Sequence, residues 1–182
     1  AGNSCGIHIH SGMTCIADAG GHYYTGTVTS DPWTSISYTA AGDGSASGIV
    51  HVTTGGTGAD IEGRALVVHG FDGGRIACAQ LYPDAPAPAS TASGFVPYFS
   101  YTGSLAVSGW VGPVVTDGVT QSFAYSLSDV DPACSSGAGT ASCAAPDPSR
   151  APCPRARWRC SSSRVPLSAA AQKKKSVTRV FH

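Results

Sequence analysis

The chain has 182 residues, 42% of them hydrophobic, and a formal net charge of zero. This length and composition suit one buried core, and no apolar run approaches the roughly 20 residues of a membrane-spanning helix, so we expect no membrane span. The 23 glycines and 12 prolines favour an all-β fold with many turns.

The neutral total hides two oppositely charged parts. Residues 1–149 contain all 11 acidic residues and only two basic ones, Arg64 and Arg75, for a net charge of −9. Residues 150–182 contain nine basic residues and no acidic one, for a net charge of +9. From 144 to 182, Pro, Arg, Ser and Lys dominate without apolar periodicity, which predicts a disordered, low-complexity basic tail. We expect no nucleic-acid partner.

The cysteine count bears on the compartment. Seven cysteines are many for a cytosolic protein and indicate an oxidising environment, so we expect a secreted or extracellular protein. The chain opens at Ala1 and its one methionine is Met13, so we also expect a processed chain or a fragment.

The first predicted strand carries two histidines on one face. It lies in residues 5–12, with the sequence CGIHIHSG. Because side chains alternate along an extended strand, His8 and His10 point to one side and the two isoleucines to the other. Imidazole nitrogen suits copper, zinc, iron and nickel. Two histidines alone do not complete a metal site.

Two more histidines follow further along the chain. The sequence GGHY at 20–23 brings His22 after a short loop, and GRALVVHG at 63–70 ends an apolar, β-rich run with His69. Two ligands from one strand and two from elsewhere can close around one ion. The sequence therefore predicts a four-histidine metal site.

Alternating apolar residues bounded by Gly, Pro and Asp turns predict further strands. In chain order they cover 25–40, 48–53, 61–69, 75–81, 105–112 and 121–127. Within 83–104, a bias toward Pro, Ala, Ser and Thr predicts a linker. His51, in the second of these strands, is expected to face solvent.

Residues 5–81 resemble a known enzyme family in four successive motifs. The motifs are GIHIH, GGHY, GRALVVH and GRIAC, and their order is similar to that of the copper/zinc superoxide dismutases. The resemblance implies a Greek-key β-barrel or flattened sandwich. It also implies a copper enzyme that disproportionates superoxide to oxygen and hydrogen peroxide.

The resemblance implies roles for individual residues. The copper ligands would be His8, His10, His22 and His69. His22 stands where the family's histidine bridges copper and zinc and shuttles a proton, and Arg75 stands where the family's arginine guides the anion. These two are the predicted catalytic residues.

Other positions would support the site. Cys15 and Cys78 stand where the family's intrasubunit disulfide stands. Asp72 is our candidate for the aspartate that orients ligand histidines, with a plain turn residue as the alternative.

Two departures from the family pattern bear on the metal. The run 23–50 contains no histidine, so a zinc site with about four ligands is not expected and zinc is unlikely. Only five residues separate His69 from Arg75, too few for the family's long charged loop. Loss of both features resembles the copper-only branch of the family.

The later strands resemble the opening strands of the same family. The chain would then divide into a metal-binding core at 1–82, the linker at 83–104, strands of the next repeat at 105–133 and the tail at 144–182. Residues 138–143 echo 1–5, which suggests a tandem array. Alternatively, the later strands complete a circularly permuted barrel. Cys134 would pair with Cys5 or with Cys143.

Two functional interpretations compete. One is the superoxide dismutase, with superoxide as its partner and neighbouring repeats or a second copy as further contacts. The other is a non-catalytic copper-binding or structural repeat module of a secreted or surface protein. Zinc hydrolysis fits the ligand count but lacks an evident general base.

Overall fold

The protein is described by a computed structural model that covers residues 3–84 and 89–135. Within these ranges it is built mainly of antiparallel strands. The strands are β1 Ile7–Ile9, β2 Ala46–Thr53, β3 Ala65–His69, β4 Arg75–Pro83, β5 Ala89–Ser93, β6 Val96–Pro97, β7 Ser108–Asp117 and β8 Thr120–Ser128. Helical turns are short: α1 Gly58–Ile61 and the 3₁₀ helices Pro32–Ser35 and Pro132–Cys134. The all-β prediction is confirmed.

The strands form one curled sheet that resembles half of a barrel. Their order is β1-β3-β4-β5-β7-β8-β2, and β6 pairs with β4 beside this path. Since β7 and β8 lie between β5 and β2, the later strands belong to the same sheet as the histidine-bearing strands.

The two parts of the sheet are buried differently. In β8, alternate residues face the core, as expected where one face of an antiparallel sheet meets solvent. In β3, all five residues are buried. Leu66 and Val68 pack in the main core, whereas Ala65 and Val67 pack on the other face with Cys78.

The predicted strand over 25–40 is wrong. This segment is a loop that contains a 3₁₀ helix, which begins at Pro32 after Asp31. The Asp31 carboxylate accepts a hydrogen bond from the Trp33 backbone N–H at 2.9 Å and caps the helix. Trp33 and Tyr38 are buried because the loop is anchored to the core, and this anchoring produced the apparent alternation.

The segment 83–104 contributes two strands where we expected a linker. Strand β5 pairs with β4 on one side and β7 on the other, so it connects the two parts of the sheet. Its small Ala, Ser and Thr side chains resemble a linker in composition, but Ser90 and Ala92 are buried. Residues 85–88 lie outside the described part of the chain.

Two disulfides join distant parts of the chain. Cys15 is bonded to Cys78, the pair that the resemblance implied, and Cys5 is bonded to Cys134. The sequence separations are 63 and 129 residues. Closing loops of this size contributes about 4 kcal/mol each by the chain-entropy model. Pairing of Cys134 with Cys143 is thereby excluded.

Some predictions lie outside the described residues. The basic tail at 144–182 and Cys143 are among them. The two disulfides are consistent with an extracellular protein. Among the described residues, no helix is long and apolar enough to cross a membrane.

Candidate metal centre

The four predicted histidines converge on the outer face of the sheet, beside β1 and β3. In the register of these strands, His8 lies opposite Val67, so it shares the face that is turned away from the main core. His22 arrives from the loop after β1 and forms a backbone bridge with His10. His69 ends β3 after an irregularity in its pairing with β4.

The missing side chain of Gly6 leaves space for the His8 ring. Gly6, the glycine of the GIHIH motif, lies under the His8 ring. A Cβ atom at this position would come within 2.2 Å of His8 Cε1, so only glycine leaves room for the ring.

The histidine nitrogens form a compact group. One nitrogen from each of the four rings lies within 4.8 Å of all the others. His10 Nε2 and His69 Nε2 are 3.3 Å apart. His8, His10 and His69 are at most 1% exposed, and the side chain of His22 is 7% exposed. Three of the four rings are therefore shielded from water, and the His22 ring keeps a small contact with solvent.

Backbone carbonyls set the tautomers of three rings. His8 Nε2 is 2.8 Å from Ile36 O, and His10 Nδ1 is 3.0 Å from Gly20 O. His69 Nδ1 is 3.0 Å from Gly73 O. A carbonyl oxygen only accepts, so each of these nitrogens donates its N–H. The other nitrogen of each ring then presents a lone pair to its neighbours.

These lone pairs have no donor between them. His8 Nδ1 is buried without a hydrogen-bond partner. His10 Nε2 and His69 Nε2 face each other, and with both N–H groups used elsewhere neither can donate across the gap. A buried acceptor without a partner costs about 1 to 3 kcal/mol. A metal cation among the four nitrogens satisfies all of these lone pairs, so the residues fit a bound metal.

Burial keeps three of the rings neutral. Desolvation lowers the pKa of His8 and of His10 to about 3, and that of His69 to about 4. A metal binds the neutral imidazole, so protons do not compete for these ligands near neutral pH.

His22 has a carboxylate partner that the sequence did not reveal. Its Nδ1 donates to Asp31 Oδ2 at 2.7 Å, which leaves Nε2 for the cluster. The sequence Asp31-Pro32 indicates a turn, which agrees with the role of Asp31 as the cap of the 3₁₀ helix. The contact with His22 depends on how the loop folds, and no spacing pattern signals it.

Asp72 does not lie where the resemblance would place an orienting aspartate. Its carboxylate accepts a hydrogen bond from the Gly74 N–H at 2.8 Å, within its own turn. Among the described contacts it bonds to no histidine. Asp31 is the carboxylate that orients a ring of the cluster.

Arg75 lies beside the cluster and is itself paired. The guanidinium donates to Gly20 O at 2.6 Å, and this same oxygen accepts from His10 Nδ1. It also donates to Asp18 Oδ1 at 2.6 Å and to Tyr98 Oη at 2.5 Å. Neither Asp18 nor Tyr98 was predicted.

The Cys15–Cys78 disulfide connects the loop over the cluster to β4. Cys78 is fully buried and lies opposite Val67 on the histidine-bearing face. Ser11 N–H bonds to Gly21 O at 2.8 Å, which folds the loop back on itself just before His22.

No protein-family model, curated protein or solved structure matches this chain. The interpretation of the site therefore depends on its own chemistry. Four imidazole rings can bind a borderline metal such as copper or zinc.

Proposed function

We propose that this chain is a copper-binding, superoxide dismutase-like enzyme that converts two superoxide ions and two protons into oxygen and hydrogen peroxide. The convergence of four imidazole nitrogens beside a guanidinium carries this proposal. Imidazole ligands support both oxidation states of copper, so the bound metal would supply the one-electron chemistry.

Copper rather than zinc is supported by His22. The resemblance gives His22 a second metal at its other nitrogen, but here Nδ1 is bonded to the Asp31 carboxylate. The Asp31 carboxylate therefore takes the place that a zinc ion would need.

His22 is the proposed proton carrier. Its Nδ1–H is held by Asp31, so a proton is gained or lost at Nε2. His22 is also the most exposed of the four histidines, so solvent protons reach it first.

Arg75 is the proposed anion contact. Its side chain is 28% exposed, and Gly20 O fixes it beside His10. Residues 1–149 carry a net charge of −9, which repels an anion at long range, so a local cation matters more.

For the fold, we propose a circularly permuted Greek-key barrel of the superoxide dismutase type. Strands β7 and β8 complete the sheet that begins with β1, β3 and β4, which supports permutation over a separate second repeat. A secreted location follows as an expectation from the two disulfides. Neighbouring repeats or a second copy are further expected partners.

The alternative is a non-catalytic copper-binding or structural module. The observation that favours it is the pairing of Arg75 with Asp18, which offsets the charge that an anionic substrate would meet.

The test uses the full chain, loaded with copper under oxidising conditions. We expect one copper per chain and superoxide consumption that His69→Ala abolishes. His51→Ala is the matched control, because His51 is an exposed strand histidine that bonds to Ser122 at 2.8 Å and lies outside the four-histidine group. Copper without superoxide consumption would support the silent module. No copper uptake at the four histidines would contradict the copper enzyme and the copper-binding module, and would leave the structural module.

A further inference from the structure

Arg75, Asp18 and Tyr98 form a hydrogen-bonded unit at the edge of the histidine cluster. Asp18 Oδ1 accepts from Arg75 Nη1 at 2.6 Å, from Tyr98 Oη at 2.9 Å and from the Gly20 N–H at 3.0 Å. Tyr98 Oη also accepts from the Ala19 N–H at 2.9 Å. The phenol is 5% exposed, so it is a fixed support for the ion pair.

This unit opens onto a surface pocket of about 260 Å³. The pocket is lined by Asp18, Arg75, Tyr98, Phe99 and Ser100. The side chain of Asp18 is 74% exposed, and that of Arg75 is 28% exposed. A small anion that approaches Arg75 from the pocket therefore meets a guanidinium that is already paired with the Asp18 carboxylate.

We propose that Asp18 acts as a built-in competing anion, which occupies Arg75 and weakens the binding of small monovalent anions there. Its consequence for superoxide rests on the proposed function, but the competition itself does not. A carboxylate in contact with a guanidinium cancels most of its field at a distance, so an incoming anion must displace or share the carboxylate.

A purely structural role for Asp18 predicts a different sign. If Asp18 only held Arg75 in place, its removal would weaken anion binding. If Asp18 competes with the anion, its removal strengthens anion binding. Asp18→Asn keeps a side-chain oxygen that can accept from Tyr98 and from the Gly20 N–H, so the loop geometry is retained while the charge is lost.

The test measures how azide protects Arg75 from phenylglyoxal in the metal-free full chain, followed at the level of the Arg75 peptide. We expect the azide concentration for half protection to be roughly two- to fivefold lower in Asp18→Asn, the scale of an exposed ion pair. Asp117→Asn is the matched control, because it removes an equal charge from an exposed position at the β7–β8 hairpin.

Unchanged or weaker protection in Asp18→Asn would overturn the proposal. A gain of equal size in Asp117→Asn would also overturn it, since net charge alone would then explain the effect. This readout needs neither copper nor turnover, so it stands apart from the function test. With copper bound, Asp18→Asn should raise the rate of superoxide consumption, and Arg75→Gln should remove that gain.

Discussion

Two strand histidines show how differently the two parts of the sheet are used. His8 in β1 is 1% exposed and belongs to the four-histidine cluster, whereas His51 in β2 is exposed and bonds to Ser122. Both lie on extended backbone and alternate with apolar residues. The difference is that the loop after β1 covers the outer face around His8, and the outer face of β2 and β8 has no such cover among the described residues.

The cover changes the chemistry of the side chains beneath it. Buried imidazoles become neutral, lose contact with water and need another partner for their lone pairs. The exposed part of the sheet has no such requirement, and large apolar side chains such as Ile49 and Trp110 are left partly in solvent there. A covered face makes a candidate metal site out of residues that would otherwise be ordinary strand histidines.

The largest expected effect is on the pH dependence of the covered part. The folded pKa values of His8, His10 and His69 are about 3 to 4, against 6.5 for the ordinary side chain. Below pH 6.5 the unfolded chain binds protons that the folded chain does not. The free energy of unfolding of the metal-free chain therefore decreases as the pH is lowered below 6.5. The slope is at most about 1.4 kcal/mol per pH unit for each histidine.

Urea unfolding of the metal-free chain between about pH 7 and pH 4.5 measures this effect. Asp18, Asp43 and Asp60 have pKa values below 3.8, so their contributions are lost at lower pH than this window. A urea midpoint that stays constant down to about pH 4.5 would show that the three rings are not desolvated in the folded chain.

The next effect comes from removing the disulfide that attaches the loop after β1 to β4. The double change Cys15→Ser and Cys78→Ser should lower the free energy of unfolding by roughly 2 to 5 kcal/mol. Because the loop carries His22, copper affinity should fall as well. Equilibrium unfolding and a copper competition titration measure the two losses. Removal of Cys5 and Cys134 serves as the comparison, and an unchanged copper affinity in Cys15→Ser/Cys78→Ser would mean that the loop holds His22 without the disulfide.

The smallest of the three effects concerns one carboxylate within the cover. Asp31→Asn should weaken copper binding by about 10- to 100-fold, the usual cost of losing a partner that orients a ligand histidine. The matched control is Asp72→Asn, since Asp72 bonds within its own turn. Equal affinities for Asp31→Asn and the unchanged chain would show that His22 is oriented by the backbone alone.

Much of the fold was visible in local patterns. Alternation predicted strands that overlap β2, β7 and β8, because one face of each meets solvent and the periodicity is therefore strong. The same rule failed over 25–40, where Trp33 and Tyr38 are buried by a loop. It also missed β5, whose small side chains have a composition typical of linkers.

The sequence by itself determined the all-β class and the four histidines, since strand alternation and short motifs are local properties of the chain. Only the tertiary structure decided which groups surround them. Asp31 reaches His22, and Asp18 and Tyr98 reach Arg75, through contacts that span 9, 57 and 23 residues. The disulfide partners Cys5 and Cys134 are 129 residues apart in the sequence. Such pairings depend on how loops close over a sheet, and no periodicity along the chain encodes that closure.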